Sequence, residues 1–354
     1  MPPKRRNNPR RRSSARPPTR VCEDPFTPAN VEKLRLLCNS EKERKQEGYI
    51  LNNLDDREMS YKSRCTACHR RRQKNRRSTK KKKSKSGSGP TRIPLSTEET
   101  SPPAPEAGQP VPVAVPAPAP ICHYHVGKVL PNTKVWSCCH QDASTKGCIA
   151  REAHDYESQH DPALRANWQY HRTPLSSAPL PSHRAAIAID AEMGTAVNGD
   201  LELIRITLID FFTTDILLDS LVLPSAKLQS YNTVYSGITA EDMEQAIAVG
   251  NCLFGRDAAR EAVFEFLSPE TIVVAHGGNC DLSALRIIHE NVIDTLILEG
   301  YHGAKKTLGG RTLKNLVKLS RGIEIQCGVG HDSLEDAMGA RELVSVFVDM
   351  IPDE

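Results

Sequence analysis

Five residues in the second half of the sequence have the types and spacing that metal-assisted hydrolysis needs. Asp190 and Glu192 alternate at the end of a short apolar run, so in a strand their carboxylates would project from the same face. Asp281 follows a Gly-Gly pair, and Asp336 lies one turn into the last predicted helix. His331 stands just ahead of that helix. Separate segments of the chain thus supply four carboxylates and one imidazole.

Four carboxylates suit a pair of divalent ions, because Mg²⁺ and Mn²⁺ prefer hard oxygen ligands. Two such ions about 3.5–4 Å apart activate a water and stabilise the leaving oxygen when a phosphodiester is hydrolysed. If Ser333 caps the last helix, His331 lies on the loop beside that water and can act as general base. Each acid also has an ordinary structural explanation, Asp281 as a helix N-cap and Asp336 as a solvated helix residue. Spacing alone leaves both interpretations open.

The hydrophobic patterns around these residues predict an α/β domain. Apolar or β-branched stretches predict strands at 185–190, 201–210, 215–223 and 271–276. Helical patterns cover 240–249, 257–267, 281–289, 312–319 and 333–350. Three early strands followed by alternating helices and strands favour a mixed central sheet. We expect this domain over residues 183–350.

The stretches around the carboxylates resemble the sequence motifs of the DEDDh group of exonucleases, in particular the REX-type RNA exonucleases. Residues 187–193 are similar to the first motif of that group, residues 274–276 with 279–282 to the second, and residues 330–337 to the third. Residues 235–239, 292–295 and 311–320 are similar to intervening stretches in the same order. All five catalytic positions of the group are occupied.

The resemblance implies an RNase H-like fold and stepwise removal of mononucleotides from a 3′ end, usually of RNA. It implies two Mg²⁺ or Mn²⁺ ions and His331 as general base, with the metal ligands Asp190, Glu192, Asp281 and Asp336. Within the same motifs, we expect the substrate to contact Met193, His276 and Asn279. The alternatives are an exonuclease of single-stranded DNA and a non-catalytic nucleic-acid-binding scaffold with this fold.

Two positions beside the first carboxylate pair depart from the pattern of the group. Ala191 stands where these enzymes usually have Cys, and Gly194 where they usually have a β-branched residue. The Gly277-Gly278 pair is also looser than the usual turn. These departures bear on the shape of the pocket and on the rate, whereas the reacting groups are all present.

A dense group of Cys and His residues precedes this domain, between residues 122 and 156. Thiolate sulfur and imidazole nitrogen are the usual ligands of tetrahedral zinc, and a segment with so little apolar surface would need a metal to fold. The spacing predicts one zinc ion held by Cys122, His125, Cys148 and His154, and the residues that can replace one of these are Cys138 and Cys139. The alternative is a set of free thiols on a flexible spacer.

The same segment resembles the second half of a CHORD-type zinc module, with Trp-Ser-Cys-Cys at 136–139 and Gly-Cys at 147–148 in the corresponding places. The two cysteines that open a full module are missing, which favours one zinc ion rather than two. Contact with RNA and docking of a protein partner are both open as roles for it.

A shorter motif, Cys65-Thr66-Ala67-Cys68-His69, lies upstream. It matches the string used for covalent haem attachment, but nothing else in the sequence supports the export that this chemistry needs. It also resembles the start of a fungal binuclear zinc cluster, with Asn75 in place of the next expected cysteine. A single zinc ion shared with Cys22 and Cys38 is conceivable.

Charge is distributed unevenly along the 354 residues. Residues 1–90 carry 27 Lys and Arg against 9 Asp and Glu, a net of +18, and the rest carry 20 against 34, a net of −14. A basic arm suits a polyanion such as RNA, because Lys and Arg release counterions from phosphates. No apolar run reaches 18 residues, so we expect no membrane span.

Composition divides the chain into four parts. We expect a basic, largely disordered arm over 1–85, a Gly/Ser/Pro-rich linker over 86–121, a zinc module over 122–156 and the exonuclease domain after it. Eleven cysteines without a secretory signal indicate a reducing compartment. The basic run at 70–85 is typical of a nuclear-import signal or a nucleic-acid-binding arm. We expect a nuclear location, with the cytoplasm as second choice.

Overall fold

The structure, a computed structural model, describes residues 26–73, 121–130, 133–175, 180–302, 310–328 and 330–353. The chain divides into two compact units. We call residues 56–164 the cysteine–histidine unit, and residues up to 55 together with those from 165 onward the carboxylate unit. Most of the predicted arm and linker, at 1–25 and 74–120, lies outside the described residues. Of the described helices, none is both long and apolar enough to cross a bilayer.

Helices and strands are numbered along the chain. The described helices are α1 Pro28–Leu37, α2 Glu41–Gln46, α3 Asp56–Ser60, α4 Pro162–Asn167, α5 Thr233–Ser236, α6 Ala240–Ala248, α7 Gly255–Phe264, α8 Asn279–Leu285, α9 Thr295–His302, α10 Leu313–Arg321 and α11 Ser333–Asp349. The described strands are β1 Cys122–Tyr124, β2 Ile149–Arg151, β3 His171–Arg172, β4 Ala186–Ala196, β5 Leu201–Asp210, β6 Ile216–Leu223, β7 Leu228–Ser230, β8 Cys252–Phe254, β9 Ile272–Ala275, β10 Ile287–Ile288 and β11 Val292–Asp294.

The carboxylate unit is built on a mixed sheet with seven strands among the described residues. Six of them follow the order β11-β9-β4-β5-β6-β8, and β7 pairs with β4 outside this path. Neighbours β4 and β5 are antiparallel, as are β5 and β6. Strands β9 and β11 run parallel to β4, and β8 runs parallel to β6. The prediction of an α/β domain with a mixed central sheet is confirmed.

Strand β4 shows how both faces of this sheet are covered. Its alternate side chains point to opposite faces. Ala186 and Ala188 lie in one apolar cluster together with Ala340 of α11, and such small side chains let the helix approach the sheet closely. Ile187 and Ile189 lie in a second cluster, which contains residues of α7 and α8. Because both faces bury apolar surface, β4 is held firmly at the centre of the unit.

The segment 28–53, within the expected disordered arm, folds onto the carboxylate unit. Leu34 of α1 is fully buried in the cluster that contains α11. Arg44 of α2 donates from Nη1 to the backbone oxygen of His289 at 2.9 Å. A Ser40–Glu43 capping box begins α2, which satisfies its first free N–H groups. The charged residues of this segment lie mainly at exposed positions, and a few apolar residues such as Leu34 are buried. Averaged over the segment, the hydrophobicity is low, which led to the wrong prediction of disorder.

The cysteine–histidine unit is built differently, around a short two-stranded ribbon. Strands β1 and β2 pair antiparallel, with Cys122 opposite Arg151 and Tyr124 opposite Ile149. Only three of its described residues are buried apolar side chains, Met59, Cys65 and Cys122. The unit begins at residue 56, and therefore includes the Cys65–His69 motif that the sequence places outside the predicted zinc module.

Candidate functional site

Asp190 and Glu192 lie side by side along β4. They share the face that carries Ala186 and Ala188, because alternate residues of a strand point the same way. Glu192 pairs with Arg205 of β5, and the register shifts directly after this pair. The Glu192 side chain is 8% exposed, so this carboxylate lies inside the protein rather than on its surface.

Asp281 lies in the first turn of α8, just past the end of β9. The helix begins two residues earlier, at Asn279, so the alternative that Asp281 is a helix N-cap is wrong. Its side chain is only 5% exposed. The turn before it is tight: a Cβ added at Gly278 would lie 2.5 Å from the Ala275 Cβ. Glycine at this position therefore allows the chain to turn from β9 into α8.

A buried carboxylate holds this turn from behind. Asp294, the last residue of β11, accepts hydrogen bonds from the backbone N–H groups of Gly277 at 2.8 Å and Gly278 at 3.1 Å. The Tyr49 hydroxyl donates to the same carboxylate at 2.6 Å, and the Asn39 side chain accepts from the Asp294 N–H at 2.6 Å. The N-terminal segment thus supports the turn that places Asp281.

Asp336 lies in the first turn of α11 and is 4% exposed, so the alternative of a solvated helix residue is wrong. Asp332, not Ser333 as predicted, caps this helix by accepting from the Leu334 N–H. Ser333 is buried instead and shares a 2.6 Å hydrogen bond with Thr207 of β5. These contacts fix the start of α11 against the sheet, and with it the carboxylate of Asp336.

His331 lies on the loop before α11, as predicted, and its side chain is 48% exposed. Its Nδ1 is 3.5 Å from Asp336 Oδ2, and its backbone N–H donates to the Tyr235 oxygen. Gly330 before it has a φ of +78°, and a Cβ there would lie 2.6 Å from Gly237. The imidazole therefore stands at the edge of the carboxylate cluster, open to solvent.

Burial and mutual repulsion raise the pKa of all four carboxyl groups. The pKa of Asp190 is well above its ordinary value through burial and the charges of Asp281, Asp336 and Glu192. Burial also raises the pKa of Asp281, with the Asp294 charge as the next cause. The pKa of Glu192 rises to about 7 through burial and the charge of Asp336. That of Asp336 rises to about 6, mainly through burial. The protein groups around the cluster thus supply too little positive charge to keep all four carboxyl groups ionised.

The donor set fits divalent cations. Glu192 Oε1 is buried and has no hydrogen-bond partner among the described residues, although buried carboxylate oxygens are normally paired. A hard divalent ion would give this atom a partner and would restore the charged form of the neighbouring acids. Four carboxylates that converge from β4, α8 and α11 are the ligand type that Mg²⁺ and Mn²⁺ take.

A cleft of about 580 Å³ adjoins this cluster. Its lining includes His331, Arg205, Asp219 and the loop residues Ser236 and Thr239. Arg205 is held by two hydrogen bonds to Asp219, at 2.8 and 2.9 Å. The cleft is large enough for a small organic ligand, and it meets the cluster at the exposed imidazole.

The role of the three expected substrate contacts stays a prediction. Met193 is half-buried on β4, and its backbone oxygen accepts from the Asn232 side chain at 3.0 Å. His276 follows β9 and lies 2.8 Å, at Nδ1, from the Thr295 hydroxyl. Asn279 is half-buried at the start of α8.

The two departures beside Asp190 have local explanations in the sheet. Ala191 points away from the acids into the second apolar cluster, so a small side chain there leaves the carboxylate face unaffected. A Cβ on Gly194 would lie 3.0 Å from the Ser230 oxygen of β7. Strand β7 pairs with β4 at the next residue. Glycine at 194 thus accommodates the close approach of this extra strand.

The expected zinc set is not brought together. The structure places Cys122 and His154 near Cys65 and Cys68, and places His125 and Cys148 near Cys138 and Cys139. The error came from spacing: residues that are close in sequence lie at opposite ends of the ribbon formed by β1 and β2. Cys38, suggested as a partner of Cys65 and Cys68, belongs to neither group, and Cys22 lies outside the described residues.

Three residues near the carboxylate cluster were not predicted from the sequence. One contacts a carboxylate directly, and two hold the turn before Asp281. Gln326 Nε2 donates to both oxygens of Asp336, at 2.9 and 3.1 Å. Asp294 and Tyr49 support the turn before Asp281. Asp294 lies in the stretch 292–295, which resembles an intervening stretch of the DEDDh group. That resemblance could have indicated that Asp294 matters for the site. Nothing in the sequence pointed to Tyr49 or Gln326.

The chain is similar to curated RNA exonucleases. It is 31% identical to RNA exonuclease 3 of Candida albicans over 232 residues, which cover 64% of this chain and 54% of that protein. RNA exonuclease 3 of Schizosaccharomyces pombe is 32% identical over 233 residues, covering 63% and 40%. Small RNA degrading nuclease 3 of Arabidopsis thaliana is 35% identical over 165 residues, covering 46% and 20%. The chain spans about half the length, or less, of these relatives.

Among solved structures, the Neurospora crassa Pan2 catalytic unit matches 52% of this chain and 30% of its own, with 21% identity and a TM-score of 0.41. No family model matches the chain. The similarity to known exonucleases therefore rests on the sequence matches.

Proposed function

We propose that the carboxylate unit is a 3′→5′ exoribonuclease of the DEDD type that uses two Mg²⁺ or Mn²⁺ ions. The observation that carries this proposal is the cluster of four carboxyl groups with raised pKa values beside the half-exposed His331. The similarity to three curated RNA-degrading nucleases supports RNA as the substrate. Single-stranded DNA is the competing substrate.

In this proposal Asp190, Glu192, Asp281 and Asp336 hold the two ions, which supply Lewis-acid activation of water and charge stabilisation at the leaving oxygen. His331 takes the proton of the attacking water at Nε2, because Nδ1 faces Asp336. Asp336 orients the ring through its contact with Nδ1. The exposed imidazole can then release the proton to solvent.

The surroundings of the acids keep this machinery in place. The Tyr49–Asp294 contact and the Gly277-Gly278 turn hold Asp281, and Gln326 holds Asp336. The expected substrate contacts are Met193, His276 and Asn279. The residues around Asp281 and Asp336 position these carboxylates, and the substrate contacts position the RNA. Positioning matters because small displacements of reacting groups lower rates steeply.

The test uses the full chain and matched RNA and DNA oligomers labelled at the 5′ end. Activity should need Mg²⁺ or Mn²⁺, shorten RNA one nucleotide at a time from the 3′ end, and disappear in Asp190→Asn. Asp215→Asn, an exposed aspartate of the same unit, is the matched control and should keep activity. Preferential loss of DNA would establish the competing substrate. Binding of RNA without any cleavage would instead establish a non-catalytic scaffold.

A further inference from the structure

Eight cysteine and histidine side chains of the cysteine–histidine unit fall into two groups of four. The first consists of Cys65, Cys68, Cys122 and His154, and the second of His125, Cys138, Cys139 and Cys148. Within each group all ligand atoms lie within 4.8 Å of one another. Each group holds three sulfurs and one imidazole nitrogen, which is a common donor set of structural zinc.

The distances inside the groups match a tetrahedron around zinc. With Zn–S bonds of about 2.3 Å and Zn–N bonds of about 2.0–2.1 Å, tetrahedral angles place two sulfurs about 3.8 Å apart and sulfur and nitrogen about 3.6 Å apart. The Cys65 and Cys122 sulfurs are 3.7 Å apart, as are those of Cys138 and Cys148. Disulfides need about 2.05 Å, so these pairs are free thiols arranged at the spacing of zinc ligands.

The sulfur-to-nitrogen distances agree, and both imidazoles face their group through Nδ1. Cys68 Sγ lies 3.2 Å from His154 Nδ1, and Cys139 Sγ lies 3.5 Å from His125 Nδ1. The other nitrogen of His125, Nε2, lies 3.2 Å from the Thr145 backbone oxygen. A donor hydrogen on Nε2 leaves the lone pair on Nδ1, which is the tautomer a metal-ligating histidine takes.

Each of the two groups is supported by a turn, and the two turns are similar. The sequence alone did not show this repetition. In one turn the His69 N–H donates to the Cys65 oxygen, and in the other the His140 N–H donates to the Trp136 oxygen, both at 2.9 Å. Both histidines have a left-handed φ, of 57° and 55°. Each turn presents a cysteine just before this histidine, and each of these cysteines belongs to one group.

The ribbon of β1 and β2 joins the two groups at its opposite ends. Cys122 begins β1 and His154 follows β2, whereas His125 follows β1 and Cys148 precedes β2. A Cβ on Gly147 would lie 2.0 Å from the Tyr124 backbone nitrogen, so a bare glycine is needed where the strands meet the second group. Because only three apolar side chains are buried in the described part of this unit, apolar burial alone is too small to fold it.

We propose that this unit binds two zinc ions, one at each end of the ribbon, and that they provide most of its folding free energy. The ligands of the first ion come from both sides of residues 74–120, with Cys65 and Cys68 before this segment and Cys122 and His154 after it. Zinc therefore links residues 64–72 to the ribbon.

The grouping is tested by counting metal in the full chain, purified with zinc, and in single and double variants. The wild type should hold two zinc ions, and Cys65→Ser and Cys148→Ser should each hold one. Cys65→Ser/Cys122→Ser should still hold one, because both residues serve the same ion, whereas Cys122→Ser/Cys148→Ser should hold none. Cys252→Ser, a half-buried cysteine of the carboxylate unit, is the control and should hold two.

A single zinc ion in the wild type that Cys122→Ser and Cys148→Ser each abolish would overturn the proposal in favour of one mixed site. Two ions that are both lost on Cys65→Ser would contradict independent groups, unless that variant has simply unfolded. His154→Cys separates these outcomes, because four thiolates still bind zinc. It should keep two ions, and after cobalt substitution only one ion's absorption should change to that of an all-sulfur site. Change at both ions would refute the assignment.

Discussion

The carboxylate cluster and the two cysteine–histidine groups are both sets of metal-ligating side chains, but they depend on the surrounding fold in opposite ways. Asp190 and Glu192 belong to a strand buried on both faces by separate apolar clusters. The cysteine–histidine groups lie in a unit whose described residues include only three buried apolar side chains. In the carboxylate unit, apolar packing positions the metal ligands. In the cysteine–histidine unit, metal binding by the ligands is expected to stabilise the fold.

This difference determines how each metal-ligating side chain affects the stability of its unit when the metal is absent. Packing forces the four carboxylates together, so each destabilises the metal-free unit through burial and repulsion. The thiols lie in a unit whose described residues bury little apolar surface, so we expect them to separate once zinc is gone. Removing one ligand should therefore have effects of opposite sign on the stability of the two units.

Removal of all metal gives the largest expected contrast. With a strong chelator, amide hydrogens of residues 133–164 should lose their protection almost completely, because structural zinc contributes about 10 kcal/mol or more per ion. Amides of β4 and β9 should stay protected. Hydrogen exchange followed by mass spectrometry measures both in one sample, and zinc added back is the control. Equal loss in both units would show that the carboxylate unit also depends on metal for its fold.

Substitution of one carboxylate should change activity and stability in opposite directions. Asp190→Asn should lower exonuclease activity on the order of 10³-fold or more. The free energy of unfolding of the metal-free carboxylate unit should nevertheless rise, because a buried negative charge is removed from the cluster. Cys148→Ser should instead destabilise its own unit. Denaturant unfolding in EDTA measures the first effect, and a less stable Asp190→Asn would contradict our account of the cluster.

The stability of the metal-free carboxylate unit should fall as pH rises. Folding raises the pKa of Glu192 to about 7 and that of Asp336 to about 6, so the folded form binds these protons more tightly than the unfolded form. Their stabilising contribution is complete below pH 4 and is lost as pH rises through 7. Exchange rates of β4 amides in EDTA should therefore be faster at pH 8 than at pH 5.5, after correction for intrinsic exchange.

Saturating Mg²⁺ should flatten or reverse this dependence, because the ions favour the charged carboxylates. Asp190→Asn should make it shallower in the absence of metal, since one source of repulsion is gone. A metal-free unit that becomes more stable between pH 5.5 and 8 would show that the acids do not repel one another as the structure indicates.

The smallest expected effect concerns the support behind Asp281. Tyr49→Phe removes the hydroxyl that donates to Asp294 and should raise the Mg²⁺ concentration for half-maximal activity about 10-fold. Stability should fall by only about 1–2 kcal/mol. Tyr231→Phe, a half-buried tyrosine of the same unit, is the control. If Tyr49→Phe lowered stability but left the metal dependence unchanged, the contact would have only a structural role.

The structure brings the predicted carboxylates and His331 near one another, and this grouping was readable from the sequence because the residues lie in compact motifs. Their roles stay predictions. The alternation of Asp190 and Glu192 on one strand followed from β geometry alone. The predicted helix at 281–289 was less accurate: it begins at Asn279 and ends at Leu285, where Arg286 takes a left-handed φ of 59°. A helix end of this kind depends on tertiary contacts, which periodicity does not report.

The cysteine–histidine groups were harder to predict for a topological reason. Spacing rules assume that ligands close in sequence share an ion, whereas an antiparallel ribbon sends Cys122 and His125 to opposite ends. Two of the three partners of Cys122, namely Cys65 and Cys68, lie more than fifty residues upstream, beyond a Pro-rich and basic stretch. Tyr49 was missed because it contributes through one long-range hydrogen bond to Asp294. Gln326 was missed because its contacts with Asp336 depend on how the loop before α11 folds. Neither contact leaves a local pattern in the sequence.

The ligands of the first ion lie on both sides of residues 74–120 in the sequence. Structural zinc is bound with about 10 kcal/mol or more. A protease that cut the chain between Cys68 and Cys122 would therefore leave two pieces that the metal still joins.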